Sequence, residues 1–285
     1  MAVNIDKLLQ LDCYGIAREQ KQALLLEQLN TLTRHHRRNC SAYNRLLEAH
    51  DFGHEPVTNI HDFFPLPVRL FKEYALKSCD QQDVIKTMTS SGTTSQTVSR
   101  IFLDRYTAGN QAKALVKIIQ NYLGKQRLPM LIVDASAVVK DRNLFSARGA
   151  GVLGFSTFGR DHTYLLDENM RIDFESLETF LDTYSGDKIF IFGFTFMLWQ
   201  YLYKPLFESG KTLNLENGIL IHSGGWKKLV EQAVDNATYN RALRQQTGIH
   251  HIYNFYGMVE QVGSIFMECN KGYLHTPTIA DVVVR

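Results

Sequence analysis

Three short segments of the chain carry residue types that could bind a nucleotide or an anion. In the first, residues 89–96, seven of the eight positions are Thr, Ser or Gly. Hydroxyl groups and a glycine backbone offer many hydrogen-bond donors to phosphate oxygens with little steric bulk. The same composition is typical of a polar surface loop, and the spacing of the common P-loop is absent. Both interpretations stay open on composition alone.

The second segment, residues 219–227, runs from an apolar strand into Ser223, Gly224 and Gly225 and then Trp226. Glycines at such a turn let a flat ring or an anion approach the backbone closely, and the start of a following helix favours negative charge. The pattern is compatible with a nucleotide-binding turn and equally with an ordinary connection between a strand and a helix.

The third segment, residues 253–260, places Tyr256 and Gly257 directly after another apolar strand, with Glu260 just beyond them. A carboxylate at the mouth of a site could hold Mg²⁺, which prefers oxygen ligands that it shares with substrate phosphates. Taken alone, Glu260 is better explained as an acidic side chain in solvent.

Alternating helices and strands must position these segments. Apolar periodicity predicts helices at 105–123, 174–184, 199–207 and 226–246, and strands at 129–134, 188–194, 218–222 and 251–255. This order is typical of an α/β fold with a mostly parallel sheet flanked by helices, in which sites lie beyond the carboxyl ends of the strands. The loops after Ile221 and Phe255 are therefore the expected place for a site.

The composition excludes several classes of protein. With 285 residues, 45% of them hydrophobic, the chain can bury a sizeable core. A net charge of +2 falls short of the basic excess of a dedicated nucleic-acid binder, so no nucleic-acid partner is expected. The four cysteines are far apart and form no CxxC pair, so neither a disulfide framework nor a zinc site is predicted.

No targeting or membrane segment is predicted either. Residues 1–15 lack the uninterrupted apolar region of a secretory signal. The most apolar stretch, 189–199, is well short of the roughly 20 residues that span a bilayer. We therefore expect a cytoplasmic protein without a membrane span.

Two further patterns predict no site. Residues 149–154 satisfy G-x-G-x-x-G, yet no convincing strand precedes them and 155–159 open a helix poorly, which argues against a Rossmann nucleotide site. The pairs at 35–36 and 250–251 are adjacent histidines without the i,i+4 spacing of a helical zinc site. No metal centre is predicted from them.

In chain order, the Thr-Ser-Ser-Gly-Thr-Thr run from Thr89, the Ser-Gly-Gly run from Ser223 and the Tyr-Gly-Met-Val-Glu run ending at Glu260 resemble the motif series of adenylate-forming enzymes, the acyl-CoA synthetase and luciferase superfamily. More narrowly, 64–72, 192–196 and 221–227 resemble the LuxE-type acyl-protein synthetases of bacterial bioluminescence. The likeness covers nearly the whole chain. It implies the large N-terminal domain of such an enzyme, with 1–80 as a helical N-terminal part and 81–285 as an α/β core that binds nucleotide and acyl group.

The resemblance also implies roles for individual residues. Contacts with the β- and γ-phosphates of ATP would come from Ser90, Ser91, Gly92, Thr93 and Thr94. Contacts with the adenine would come from Ser223, Gly224, Gly225, Trp226, Tyr256 and Gly257. Glu260 would hold Mg²⁺, and Thr93, Thr94 and Glu260 would act in catalysis.

The implied reaction is attack of a fatty-acid carboxylate on the α-phosphorus of ATP. It releases pyrophosphate and leaves an acyl-adenylate for transfer to the thiol of a protein, with a reductase subunit as partner. An apolar slot for the acyl chain has five candidate walls, of which we expect most to be core: Phe155, Phe158, Phe192, Phe194 and Phe196.

Three departures from the superfamily pattern bear on this prediction. Ser95 stands where a Gly is common, and Val259 stands where a Thr usually offers a hydroxyl to the α-phosphate. The sequence ends at Arg285, before the ribose-binding Asp, the hinge and the small C-terminal domain of the superfamily, and before the acyl-accepting Cys of LuxE-type enzymes. We therefore expect the small C-terminal domain to be absent after 285.

Two alternatives stay open. An acyl- or aryl-CoA ligase of the phenylacetate type shares the same loops and would pass the acyl group to CoA. A non-catalytic nucleotide-binding or scaffold protein is the other alternative, motivated by Ser95, Val259 and the end of the chain at Arg285.

Overall fold

The computed structural model describes residues 5–90, 97–140 and 147–284. Its helices are α1 Asp6–Gln10, α2 Arg18–Asn39, α3 Ser41–Ala49, α4 Leu70–Glu73, α5 Arg105–Leu123, α6 Ala137–Lys140, α7 Ala147–Ser156, α8 Phe174–Thr183, α9 Thr195–Leu198, α10 Lys204–Ser209 and α11 Asn236–Thr247. Its strands are β1 Lys86–Thr89, β2 Arg100–Leu103, β3 Leu128–Ala135, β4 Gly159–Leu166, β5 Ile189–Phe194, β6 Gly218–Ser223, β7 His251–Gly257, β8 Ile265–Glu268 and β9 Leu274–His275.

The chain folds into two compact units. The first takes its described residues from Met1–Ile118, Gly257–Ile265 and Thr276–Arg285, and the second takes them from Ile119–Tyr256 and Phe266–His275. In the first unit β1 and β2 form an antiparallel hairpin. The division into 1–80 and 81–285 stays a prediction about domains.

Within the described residues, seven strands form one sheet in the order β4-β3-β5-β6-β7-β8-β9. Strand β3 runs parallel to β4 and β5, β5 runs parallel to β6, and β6 runs parallel to β7, whereas β8 and β9 are antiparallel. The predicted α/β fold with a mostly parallel sheet flanked by helices is confirmed.

The centre of the sheet is apolar on both faces. Paired residues of neighbouring strands share a face, so Leu131, Ile191 and Leu220 line one face. The next row along the strands lines the opposite face and contains Ile132, Phe192 and Ile221. All six side chains are fully buried. Parallel strands covered by helices on both faces read as continuous apolar runs, which is why β3, β5 and β6 were visible in the sequence.

The predicted single helix at 226–246 is wrong. The chain forms a 3₁₀ helix at Lys227–Gln232, leaves helical geometry, and begins α11 at Asn236. The break follows from local chemistry, because the Asp235 carboxylate accepts a hydrogen bond of 2.7 Å from the backbone N–H of Thr238 and caps the new helix.

The G-x-G-x-x-G pattern lies inside α7 and serves helix packing. A Cβ at Gly151 would lie 2.6 Å from Cζ of Phe194, so only glycine lets α7 approach this ring. The expectation that the pattern is not a Rossmann turn is confirmed.

No helix in the described parts of the chain combines the length and the apolarity that crossing a bilayer requires.

Candidate functional site

The turn after β6 and the end of β7 lie at the same edge of the sheet. Ser223 pairs with Phe255 in the parallel register of these strands, so Gly224 and Tyr256 leave them side by side. The structure therefore brings together the predicted residues of the second segment and Tyr256 in one unit. This edge is the carboxyl end of the parallel strands, where ligands of such folds bind.

The turn after β6 depends on a glycine at its first position. Gly224 has φ +88°, a conformation that side chains with a Cβ rarely adopt. A Cβ there would also lie 3.1 Å from Cδ1 of Phe194, whereas a Cβ at Gly225 would meet nothing within 4 Å. The backbone of the turn is thus exposed and fixed in an unusual conformation beside an aromatic ring.

The two glycines offer a matched pair of variants. We expect Gly224→Ala to lower the free energy of unfolding by about 1–2 kcal/mol, since it adds left-handed strain and a close contact. Gly225→Ala should change it by less than about 0.5 kcal/mol. Equilibrium urea unfolding of both variants measures the difference, and equal effects would show that the turn does not require its left-handed residue.

Trp226 is held by its ring in an aromatic cluster. The ring packs edge to face on Trp199 at 5.3 Å and on Tyr239 at 5.8 Å between centroids. Such contacts add roughly 0.5–1.5 kcal/mol beyond the area that they bury. The cluster anchors the C-terminal end of the turn to the core of the second unit.

A buried histidine, which the sequence analysis did not single out, lies directly before the turn. Nδ1 of His222 lies 3.0 Å from Oγ1 of Thr195, and the hydroxyl of Tyr239 donates to the carbonyl of Thr195 at 3.0 Å. Burial lowers the pKa of His222 to about 3. This neutral imidazole ties β6 to the start of α9 and, through Tyr239, to α11.

The low pKa of His222 makes stability depend on pH. In the unfolded chain His222 becomes protonated below about pH 6.5, whereas in the folded chain it stays neutral down to about pH 3. The unfolded state therefore binds more protons between these pH values, and the free energy of unfolding falls as the pH falls. The contribution of this group should amount to about 2 kcal/mol between pH 7 and pH 5.

Chemical denaturation at these two pH values, with His222→Asn as the test, measures the contribution. The variant keeps a polar group toward Thr195 but cannot titrate, so its stability should change less with pH. His250→Asn, at an exposed position, is the control and should behave like the parent protein. A His222→Asn variant with unchanged pH dependence would contradict the assignment.

Tyr256 and Gly257 are both exposed at the end of β7. The Tyr256 side chain is 47% exposed and its ring centroid lies 6.2 Å from that of Phe266. An exposed ring supported on one side is suited to stacking on a flat ligand.

Glu260 lies in the loop that follows, in the first unit. In this loop the N–H of Gln261 donates to the carbonyl of Met258 at 3.1 Å. Gly263 has φ +78° and lies close to α5, since a Cβ on Gly263 would be 2.9 Å from Cα of Gln111. Among the described residues, no cation lies within ion-pair distance of the Glu260 carboxylate. The carboxylate is half-buried and available to a metal ion.

The first segment begins at the last residue of β1 and precedes β2 along the chain. The backbone N–H of Ser90 donates to the carbonyl of Ser99 at 3.2 Å, and the N–H of Ser99 donates to Oγ of Ser90 at 3.0 Å. Ser90 thus closes the base of the segment. Four predicted phosphate contacts lie outside the described residues: Ser91, Gly92, Thr93 and Thr94.

Comparison with models of protein families identifies the family of this chain. The family model described as acyl-protein synthetase, LuxE, matches residues 2–285. The chain belongs to the LuxE acyl-protein synthetase family. A sequence comparison with curated proteins finds no match.

Solved structures that are similar to this LuxE-family chain include a CoA ligase. A 2-hydroxyisobutyryl-CoA ligase, in an open conformation with 2-HIB-AMP and CoA, matches with a TM-score of 0.63 at 14% identity. The match covers 92% of this chain and 60% of the ligase chain, so the chain spans less than two thirds of that protein. At this identity the likeness shows the fold.

Two structures of coronafacic acid ligase from Pectobacterium brasiliense, one of them the R395G mutant, also match. Both have 15% identity and cover 59% of this chain and 29% of the ligase chain. Their TM-scores are 0.36 for the mutant and 0.33 for the other structure.

A Mg²⁺ site in this LuxE-family chain would have to share its ligands with a substrate. The described residues hold no group of three or more His, Cys, Asp or Glu side chains placed to bind a metal ion. One or two carboxylates together with substrate phosphates are a usual ligand set for Mg²⁺. The Glu260 carboxylate, which has no ion-pair partner in the described part of the chain, fits that donor set.

The candidate walls of an acyl slot divide into core and edge. Phe155 stacks on Phe192 at 4.5 Å and on Phe255 at 5.0 Å between centroids, and Phe155 and Phe192 are buried. These two belong to the core, whereas Phe158 is half-buried, so fewer of the five candidates are fully buried than expected. Phe194 and Phe196, at the carboxyl edge, are half-buried.

Proposed function

We propose that this chain carries the nucleotide- and acyl-binding part of an acyl-protein synthetase. It would activate a fatty acid with ATP as an acyl-adenylate and pass the acyl group to the thiol of a partner protein. The observation that carries this proposal is the match of the LuxE family model to residues 2–285. The exposed turn at Gly224 and the exposed ring of Tyr256, at one edge of the sheet, support it.

In this proposal the second and third segments receive the adenosine. The backbone of Ser223, Gly224 and Gly225 would lie along the adenine, and Tyr256 would stack on it. A base can approach the turn because no side chain projects from its two glycines. Gly257, the last residue of β7, would also contact the base.

The phosphates would lie against the first segment. Ser90 closes the base of that segment, and Ser91, Gly92, Thr93 and Thr94 would supply donors to the β- and γ-phosphates. Mg²⁺, bound by Glu260 and the phosphates, would offset the charge that develops on the pyrophosphate. Thr93, Thr94 and Glu260 are the proposed catalytic residues.

The reaction needs positioning more than proton transfer. A fatty-acid carboxylate is already ionised near neutral pH, so it can attack the α-phosphorus without a general base. The electrostatic repulsion between the carboxylate and the phosphates of ATP must be offset by hydrogen-bond donors and cations that are held in place before the reaction. We propose residues 1–80 as the helical N-terminal part and 81–285 as the core that does this, with a reductase subunit as the partner that receives the acyl group.

Exchange of labelled pyrophosphate into ATP tests the proposal. Adenylate formation is reversible, so the label should enter ATP only when a fatty acid, Mg²⁺ and the protein are all present. Acids from 8 to 18 carbons form the test series. No exchange with any of them would overturn the proposal, and binding of Mg·ATP in calorimetry without exchange would support a nucleotide-binding scaffold instead.

A CoA ligase is the second candidate function. The observation that favours it is the similar fold of 2-hydroxyisobutyryl-CoA ligase, whose structure holds 2-HIB-AMP and CoA. Thioester formation that requires free CoA, in the absence of any acceptor protein, would favour this candidate. Acylation of a protein thiol without CoA would favour the acyl-protein synthetase.

A further inference from the structure

Two cations lie at the carboxyl edge of the sheet, close to the turn after β6. Arg148 is in the first turn of α7, and its Nε lies 3.1 Å from Oδ2 of Asp134 in β3. Lys227 directly follows Trp226 and has φ +49°. Its Nζ lies 4.8 Å from the ring centroid of Phe196 and 6.0 Å from that of Phe194.

One of the two cations at this edge has no ion-pair partner among the residues that the structure describes. The Asp134 side chain is 2% exposed and forms an ion pair with Arg148, whose side chain is 30% exposed. Burial lowers the pKa of Lys227, and the positive charge of Arg148 lowers it further. Among the described residues no carboxylate lies within ion-pair distance of Lys227. Asp134 thus pairs with Arg148, and the positive charge of Lys227 is left for a ligand.

Each of the two cations also has an apolar neighbour. Nη1 of Arg148 lies 3.5 Å from Sδ of the buried Met197, and Lys227 lies over two aromatic rings. Phe194 and Phe196 are only half-buried, so part of each ring faces outward at this edge. An anionic head joined to a hydrocarbon body matches this combination, since the cations take the head and the rings take the first methylene groups.

We propose that Arg148 and Lys227 bind the carboxylate of the fatty acid, with the start of its hydrocarbon chain against Phe194 and Phe196. The choice of a fatty acid rests on the proposed function. The shared chemistry, an anion between two cations, would also suit a phosphate. The adjoining aromatic faces favour the carboxylate, since an inorganic phosphate has no apolar body to place against them. The turn at Gly224 adjoins Phe194, so an acid bound here would lie beside the proposed adenosine site.

Binding of a fatty acid and of the alcohol of equal chain length to the whole chain tests this site without any turnover. The two tryptophans, Trp199 and Trp226, lie in one cluster near the turn and report binding by fluorescence. We expect the acid to bind at least about 10-fold more tightly than the alcohol at pH 7.5. Lys227→Gln should lose most of that preference while it leaves the affinity for the alcohol unchanged.

Lys211→Gln is the matched control, because Nζ of Lys211 lies 4.5 Å from the Phe174 ring centroid in the same unit and makes the same type of contact. It should retain the preference of the parent protein. Arg148→Lys, which keeps the charge beside Asp134, should weaken acid binding less than Lys227→Gln does. An Arg148→Gln variant leaves the buried Asp134 unpaired, so thermal unfolding must accompany it.

Several outcomes separate this site from the proposed function. Equal affinities for acid and alcohol, or an unchanged preference in Lys227→Gln, would overturn the site even if pyrophosphate exchange occurs. The predicted preference without any exchange would uphold the site and overturn the adenylation. The affinities for inorganic phosphate and for Mg·ATP are measured in the same way. If Lys227→Gln loses affinity for either of these ligands and still binds the fatty acid as the parent protein does, Arg148 and Lys227 bind phosphate and not the carboxylate.

Discussion

Glu260→Gln is expected to lower fatty-acid-dependent exchange of pyrophosphate into ATP by at least about 100-fold. The substitution keeps the size of the side chain and removes its charge. Within the described residues no cation pairs with the Glu260 carboxylate, so little structure should be lost with that charge. What should be lost is an anionic oxygen ligand for Mg²⁺, and with it the charge compensation at the phosphates.

Two controls give this variant its meaning. Glu216→Gln removes the same charge from an exposed position in the connection between α10 and β6 and should keep the exchange rate of the parent protein. The dependence of exchange on Mg²⁺ should shift to higher concentration in Glu260→Gln, whereas the affinity for the fatty acid should not change. An exchange rate in Glu260→Gln equal to that of the parent protein would show that Glu260 is not a Mg²⁺ ligand in the reaction.

Phe192→Ala is expected to lower the free energy of unfolding by about 3–5 kcal/mol. Phe192 is fully buried, pairs in register with Ile132 and Ile221, and stacks on Phe155 with an angle of 12° between the rings. Its removal leaves a cavity between the sheet and α7 that the paired strands cannot close. Urea denaturation followed by far-UV circular dichroism measures the loss.

The comparison variant for this prediction is Phe207→Ala. Phe207 is 61% exposed on α10, and its removal should cost less than about 1 kcal/mol. If Phe192→Ala costs no more than Phe207→Ala, the stacked phenylalanines are not the core of the sheet, and an acyl slot between them would become the better interpretation.

The elements visible in the sequence are those with a strong local pattern. The mainly apolar runs of β5 and β6 and the periodicity of α5 predicted these elements within a residue or two of their ends. Strand β4 was missed because three consecutive residues after Gly159 are polar and exposed at the edge of the sheet. The break before α11 was missed because the capping carboxylate of Asp235 lies within an otherwise helical pattern.

The site was predictable in part, for a related reason. The motif order pointed to the turn at Gly224 and to the end of β7, and the parallel register places the two side by side. The placement of Asp134, Arg148 and Lys227 at one edge was not predictable, because residues of separate elements come to the same edge only through the order of strands in the sheet. The hydrogen bond between His222 and Thr195 depends on the same register.

Transfer of oxygen from the fatty acid to AMP tests the central claim most directly. A fatty acid carrying ¹⁸O in both carboxylate oxygens is incubated with the protein, Mg·ATP and hydroxylamine, which takes the place of the acceptor thiol. Attack on the α-phosphorus followed by cleavage of the acyl–oxygen bond predicts one ¹⁸O atom in each AMP and none in pyrophosphate. AMP without the label, or the label in inorganic phosphate, would contradict an acyl-adenylate.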